Sequence, residues 1–237
     1  MPLTARTRMP AMATWVVLPV KILTEAKQRL SPGIGTLERH HLCRAMVEDV
    51  LEAISQSQLH EHILVVTEDR EITQLAERYC ARIMAVAERG HSVVATRAIA
   101  ELAGGPEATV VLLPGDVPAI TAKEIDTLVA EHRTRAAAEP AVTIVPDREG
   151  AGTNALVLTP PDSIAPAFGP GSFARHCASA RIRGIEPMAA RPNGICHDVD
   201  TVDDLERCMS LALGRCTRRY LEESGLDRRI GRSVHGV

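Results

Sequence analysis

Thr109-Val-Val-Leu-Leu-Pro-Gly-Asp-Val-Pro118 is the stretch on which the reading of the fold turns. Five consecutive apolar or β-branched residues, Thr109 to Leu113, read as a strand buried on both faces. The strand stops at Pro114, and Asp116 follows between a glycine and a second proline. In an open α/β sheet, ligands bind just beyond the carboxyl ends of the strands. A carboxylate held there is placed either to ligate a divalent metal or to serve as a turn aspartate.

On either side of this segment strand and helix patterns alternate. Strands are expected at Trp15–Val20, Ile63–Thr67, Ile83–Val86, Ala141–Val145 and Asn154–Leu158. Helices are expected at Leu37–Ser55, Glu71–Ala81, Ser92–Ala103 (stopped by Gly104-Gly105) and from the capping box Thr121-Ala-Lys-Glu124 to about Ala137. This alternation predicts an α/β fold with a mostly parallel central sheet and helices on both faces. After residue 145 the pattern loosens. Pro146–Thr153 is a polar, Gly-containing turn, and Asp162–Ser172 is a long Pro- and Gly-rich stretch of the kind that carries function. A helix at Phe173–Ala180, a strand near Ile185–Ala189 and a helix from Thr201 to about Leu213 complete the pass. Residues 1–13 read as a loose leader, 14–214 as a single domain, and 215–237 as a charged, flexible tail with one short helix at Thr217–Glu223.

Bulk properties exclude several classes. The 237 residues carry 27 basic and 30 acidic groups, a net charge of −3, and only 2% aromatics. Nucleic-acid binding leaves a basic or aromatic footprint that this chain lacks. The apolar run Trp15–Val20 is too short for a signal peptide or a membrane span. Six cysteines occur without Cys-x-x-Cys spacing, as expected of reduced thiols in a cytoplasmic protein.

Three constellations could carry chemistry. The first strand exits through Pro19-Val20-Lys21, followed by Lys27-Gln-Arg29, and cations behind a strand end suit a polyphosphate. Neither a Walker motif nor G-x-G-x-x-G is present, so a dinucleotide cofactor is not expected. The second is Asp198-Val-Asp200, whose alternation puts both acids on one face of an extended segment. With Asp116 they form an oxygen-rich set that suits Mg²⁺ better than zinc, His197 notwithstanding. The third is Gly150-Ala-Gly-Thr153-Asn154 with Phe168-Gly169-Pro-Gly-Ser172-Phe173, two Gly-rich loops with hydroxyls. Ser172 is expected at a helix N-cap, where exposed N–H groups favour an anion. Together the three describe transfer of a nucleotidyl group to a phosphorylated acceptor.

On these residues the chain resembles the 2-phospho-L-lactate guanylyltransferases of coenzyme F420 biosynthesis. The resemblance runs from about Val16 to Leu205. It rests on Pro19-Val-Lys21 with Ala26-Lys-Gln-Arg-Leu30, Leu113-Pro-Gly-Asp-Val-Pro118, Pro146-Asp-Arg, Gly152-Thr-Asn-Ala-Leu156, Phe168–His176 and Asp198-Val-Asp-Thr201 with Asp204-Leu205. It implies a GT-A-like (Rossmann-like) nucleotidyltransferase fold, GTP as co-substrate with Mg²⁺, and release of pyrophosphate. The acceptor would be 2-phospho-L-lactate, phosphoenolpyruvate or 3-phospho-D-glycerate. Lys21, Lys27 and Asp116 would be catalytic, and Pro19, Val20, Lys21, Lys27, Arg29 and Gly90 would bind nucleotide. Thr153, Asn154, Gly169 and Ser172 would hold the acceptor, and Asp116 with an aspartate of the Asp198/Asp200 pair the metal. The family usually has Gly-Leu-Asn where this chain has Gly90-His91-Ser92. His91 and Ser92 are therefore expected at the acceptor or base, and a polar wall there would suit 3-phosphoglycerate. Neither nucleic acid nor a membrane is an expected partner. A homodimer and hand-over of the unstable product to the next transferase of the pathway are the expected protein contacts. The competing readings are a molybdenum-cofactor-type nucleotidyltransferase, disfavoured because no glycine lies between Trp15 and Gly33, and a non-catalytic nucleotide-binding regulator.

Overall fold

A computed structural model describes residues 13–25, 27–31, 33–88, 90–102, 108–137 and 140–232. The expected leader (all but residue 13), Ala26, the Gly104-Gly105 stop and the last five residues lie outside it.

Strands β1 (Thr14–Pro19), β2 (Ile63–Val66), β3 (Arg82–Met84), β4 (Thr109–Leu112), β5 (Ala141–Pro146), β6 (Thr153–Thr159) and β7 (Met188–Ala189) form one sheet in the order β3-β2-β1-β4-β6-β5-β7. β1 pairs in parallel with both β2 and β4, placing Val16 beside Ile63 on one side and Val111 on the other. Only β6 runs against the rest, antiparallel to β4 and β5. Because the chain steps from β1 outward to β2 and β3 and then back to β4, a switch point falls between β1 and β4. Their carboxyl ends open there into one crevice.

The side-chain alternation of these strands feeds two cores. Val16, Leu18, Val65, Val111 and Val157 face α1 (Thr36–Ser55), α2 (Arg70–Arg78) and α4 (Ala122–Ala136). Trp15, Val17, Leu64, Leu112 and Leu156 face α3 (His91–Glu101) and α5 (Ser172–Ile182). All four β4 residues are buried, as a strand covered on both faces must be. α1 starts with the reciprocal half of a capping box, Glu38 reaching back to the Gly35 N–H at 2.9 Å, and its Leu42, Met46 and Val50 are fully buried.

The C-terminal region departs from expectation. α6 (Val202–Met209) ends earlier than its pattern suggested, and β7 has two residues instead of five. Residues 215–232 are not a loose end: they form α7 (Arg215–Ser224) and α8 (Leu226–Arg232), whose Leu221, Leu226 and Ile230 join the first core. The anchor is Asp49 on α1. Its buried carboxylate accepts the N–H groups of Cys216 at 2.7 Å and Thr217 at 2.8 Å, capping α7 from 167 residues away. A cap supplied from so far along the chain leaves no local sequence signal.

His132 on α4 is fully buried and ties three strands together. Its Nδ1 lies 2.8 Å from Thr143 Oγ1 and its Nε2 2.9 Å from Thr159 Oγ1, and Thr159 in turn meets Thr109 at 2.7 Å. Burial, helped by Arg133 and Arg135, pushes the ring down to about 4, so it is neutral in the fold. The unfolded imidazole takes its proton near 6.5. This stabilising contribution is therefore full above pH 6.5 and is lost as pH falls toward 4. Between pH 7 and pH 5 the loss is about 2 kcal/mol for this ring. Urea unfolding at the two pH values is expected to show His132→Gln less sensitive to acid by about that amount, though less stable at pH 7.

Candidate active site

The crevice between β1 and β4 collects residues from four distant segments. β1 ends in Pro19, and Val20 holds the edge of β2 by a backbone hydrogen bond to Val66 (2.9 Å). β4 gives way to Pro114-Gly115-Asp116. The Asp198-Val-Asp200 segment is fastened alongside, because the Val199 N–H donates to the Asp116 carbonyl at 3.0 Å while the Val199 side chain is wholly buried. With Val199 turned inward, alternation turns both aspartates the other way.

Lys27 joins these segments. Its ammonium is hydrogen-bonded to both Asp116 Oδ2 and Asp200 Oδ1. Lys27 also sits in the left-handed backbone region, at φ 53°, which a lysine adopts only when its surroundings enforce it. Burial works against the Lys27 charge, but the two carboxylates outweigh it and keep the ammonium protonated. Burial likewise opposes the Asp200 charge, and Lys27 overcomes it, leaving that carboxyl below its usual range. Arg29 is more exposed, 3.8 Å from Asp200 Oδ2. Asp198 stands differently. Its Oδ1 accepts from Asn154 Nδ2 at 3.0 Å, and the same amide donates to the Ile195 carbonyl at 2.9 Å. Burial, reinforced by the neighbouring Asp116 charge, pushes Asp198 up to about 6.

The acidic set fits a hard divalent cation. Asp116 Oδ1 is buried and has no hydrogen-bond partner, an orphaned carboxylate oxygen beside a second carboxylate. Oxygen-only donors suit Mg²⁺. Among the described residues, the one tight group of three potential ligands lies elsewhere, at Asp49, Glu52 and Cys216. There the Asp49 carboxylate is already engaged as the cap of α7.

Two hollows flank the ion cluster. One, of about 290 Å³, is lined by Pro19, Val20, Lys21, Val66, Gly90 and His91 among others. The other, of about 340 Å³, is bordered by Arg29, Asp147, Asp198 and Asp200. Gly90, at φ 108°, is the N-cap of α3, and His91 opens that helix with its ring 6.4 Å from Phe168. Ser92 follows half-buried on α3, and the first hollow is lined by His91 and Val94 in its place.

The two Gly-rich loops are built onto one another. Asp147 organises the first: its carboxylate accepts the N–H groups of Ala151 at 2.8 Å and Gly152 at 2.7 Å. A Cβ on Gly152 would fall 2.5 Å from that carboxylate, so the turn requires glycine. The second loop docks through the Phe173 N–H to the Ala151 carbonyl at 3.2 Å. Ser172 is not the N-cap. Gly171, at φ 71°, takes that position, and Ser172 is the first helical residue. The hydroxyl still sits at the helix mouth, only 1% exposed and without a partner. Gly169, at φ 110°, is exposed on the same loop and accepts the Ser172 N–H at 3.0 Å. Arg175 braces the loop with bonds to the Ala167, Phe168 and Pro170 carbonyls.

The structure thus brings together Lys27, Asp116, Asp198, Asp200 and Asn154, with Arg29 at the rim and Lys21, Gly90 and His91 across the first hollow. Asp147, Arg175 and His176, which the sequence offered only inside the Pro146-Asp-Arg and Phe168–His176 motifs and without a role, hold the two Gly-rich loops in place.

Residues 14–236 match the family described as "Guanylyl transferase CofC like". The chain belongs to that family. It is 38% identical to a phosphoenolpyruvate guanylyltransferase of Conexibacter woesei, over 86% of this chain and 91% of the relative. It is 30% identical to a 2-phospho-L-lactate guanylyltransferase of Methanothermobacter thermautotrophicus, over 90% and 91%. Among solved structures, a Desulfovibrio desulfuricans G20 protein described as a nucleotide-diphospho-sugar transferase superposes with a TM-score of 0.72 at 17% identity, covering 92% of this chain and 97% of its own. A cytidylyltransferase of Leptospira borgpetersenii gives 0.57 at 14%, covering 92% and 96%. These two support the GT-A-like nucleotidyltransferase fold. This chain is a guanylyltransferase, and family membership sets aside both the molybdenum-cofactor-type and the non-catalytic readings.

Gly152→Ala is expected to expel the Asp147 carboxylate from its turn and to cost about 1–3 kcal/mol in unfolding free energy, the scale of lost buried hydrogen bonds. Asp147→Ala removes the same bonds. The double variant should therefore cost clearly less than the sum of the two single ones in the same urea titration.

Proposed function

We propose that this guanylyltransferase transfers GMP from GTP to a phosphorylated three-carbon carboxylic acid in coenzyme F420 biosynthesis, acting in the cytoplasm, with phosphoenolpyruvate the favoured acceptor. The observation that carries the reading is the buried, unpartnered Asp116 Oδ1 beside Lys27 and Asp200 at the ends of β1 and β4. That arrangement suits a metal-assisted attack on a triphosphate.

The first hollow takes the nucleotide, against Pro19, Val20 and Gly90. Lys21, Lys27 and Arg29 face the triphosphate and offset its charge as the bond to the β-phosphate stretches. Asp116, Asp198 and Asp200 would hold Mg²⁺, which when bound neutralises phosphate charge and aligns the reacting oxygens. Thr153, Asn154, Gly169 and Ser172 place the acceptor. A phosphate oxygen of the acceptor forms a bond to the α-phosphorus, the bond to the β-phosphate oxygen breaks, and pyrophosphate leaves. Since the acceptor phosphate is already ionised at neutral pH, no side chain need remove a proton. The product would pass to the next transferase of the pathway.

His91 bears on acceptor choice. It borders the nucleotide hollow and packs its ring on Phe168, and is not inside the loop pair that carries Thr153 and Ser172. Phe168 opens the second loop, so His91 reaches the acceptor side through it, and 3-phosphoglycerate stays among the acids to be assayed. The relatives named for phosphoenolpyruvate, at 38% and 37% identity, favour that acid.

Incubation with GTP, Mg²⁺ and each of phosphoenolpyruvate, 2-phospho-L-lactate and 3-phospho-D-glycerate tests this by pyrophosphate release. Phosphoenolpyruvate should give the highest kcat/KM, and release with none of the three would sink the acceptor reading. Asp116→Ala should lower turnover by about 10²- to 10³-fold, as loss of a principal electrostatic group does. Wild-type turnover by that variant would remove Asp116 from the metal site.

A further inference from the structure

His176 is fully buried on α5, and both its ring nitrogens are engaged. Nε2 lies 2.8 Å from the backbone nitrogen of Ala167. A backbone N–H can only donate, so Nε2 carries the lone pair and the ring proton resides on Nδ1. Nδ1 lies 3.0 Å from Thr153 Oγ1 and therefore donates to it. Burial, reinforced by Arg175, pushes the ring down to about 4, so it remains in this neutral form. The consequence falls on Thr153. Its hydroxyl oxygen already accepts a hydrogen bond from the protein, and its own hydrogen is left to donate elsewhere.

The same ring links the two acceptor loops. Thr153 begins β6 at the end of the Asp147-organised turn, and Ala167 begins the loop that delivers Ser172. Phe168 packs edge-on against His176 with ring centres 5.4 Å apart, and on its other side meets His91 at the mouth of the nucleotide hollow.

We propose that His176 is a positioning residue for the acceptor: its Nδ1-protonated ring orients the Thr153 hydroxyl as a hydrogen-bond donor to the anionic group of the phospho-acid, and its Nε2 holds the loop that brings Ser172 to the same anion. The proposal rests on the assignment of Thr153 and Ser172 to the acceptor in the preceding section. His176 itself does not touch substrate. It sets a polarity: a hydroxyl that spent its hydrogen on the protein would offer an anion only lone pairs, whereas this one offers a proton.

Two measurements on the full chain test it. The first needs no activity. Nitrogen-15 spectra of the labelled protein should show His176 neutral at pH 7 with the proton on Nδ1, and a proton on Nε2 overturns the proposal even if guanylyl transfer is confirmed. The second is kinetic. His176→Ala and Thr153→Val should each raise the KM for the acceptor about 10- to 100-fold while the KM for GTP stays within about twofold, as loss of a hydrogen bond to a charged group requires. The double variant should be no worse than about threefold beyond the more affected single one, because both remove one interaction. His176→Asn, whose amide nitrogen can occupy the place of Nδ1, should recover part of the acceptor KM, whereas a general folding defect would lower the active fraction, and with it kcat, without a selective rise in the acceptor KM. Additive effects, or an acceptor KM unchanged in soluble, folded His176→Ala and Thr153→Val, overturn the proposal. Failure of all three phospho-acids with the wild type would discard the acceptor assignment, and with it the role for Thr153, while the tautomer measurement would still report on the His176 geometry.

Discussion

The structure of the site depends on one ammonium group shared by two carboxylates. Lys27 comes from the loop after β1, Asp116 from the end of β4, and Asp200 from a segment more than eighty residues later. Two carboxylates brought this close repel one another, and without a cation between them the crevice would hold uncompensated, partly buried negative charge. Lys27 resolves that conflict in this structure, at the cost of a left-handed backbone conformation. A cation seated between acids is also the arrangement from which a metal and a triphosphate could take over: the metal would carry the charge that Lys27 now balances, and the lysine could turn to phosphate.

Around that cluster the sheet acts as a positioning frame. Parallel β1 and β4 bring their carboxyl ends to the same edge, and a core is packed on either face of the sheet behind it. The antiparallel β6 runs the other way, so its start, not its end, arrives at the same place, and it is there that Thr153 and Asn154 lie. Reversal of one strand thereby puts the Thr153 loop opposite the Pro19–Lys21 side of the crevice. Asn154 joins the halves directly, with one amide binding both Asp198 and the chain before it.

The sequence carried a good deal of this. Thr109–Leu113 and the strands flanking it were legible because burial on both faces demands unbroken apolar runs, and the capping boxes at Thr121 and Thr201 marked where their helices start to within a residue. Ser172 was misplaced by one position, since Gly171 with its positive φ could cap without a side chain. Thr217–Glu223 was legible as a short helix and lies within α7, but α8 and the packing of both helices were not. Their charged composition hid Leu221, Leu226 and Ile230 at helical spacing, and their cap, Asp49, belongs to a different helix.

Residue types and local spacing by themselves determined the alternating α/β order, the cationic exit of β1, the acidic pairs and the two Gly-rich loops, because each is a matter of periodicity, backbone freedom or charge within a few neighbours. Tertiary structure alone decided which groups became partners. That Lys27 bridges Asp116 and Asp200 while Asp198 turns to Asn154, and that His176 fixes the polarity of the Thr153 hydroxyl, follow from strand order, one reversed strand and hydrogen-bond directions across the fold. Such directions are set only when buried donors must find acceptors, and no local stretch of the chain contains both halves of those pairs.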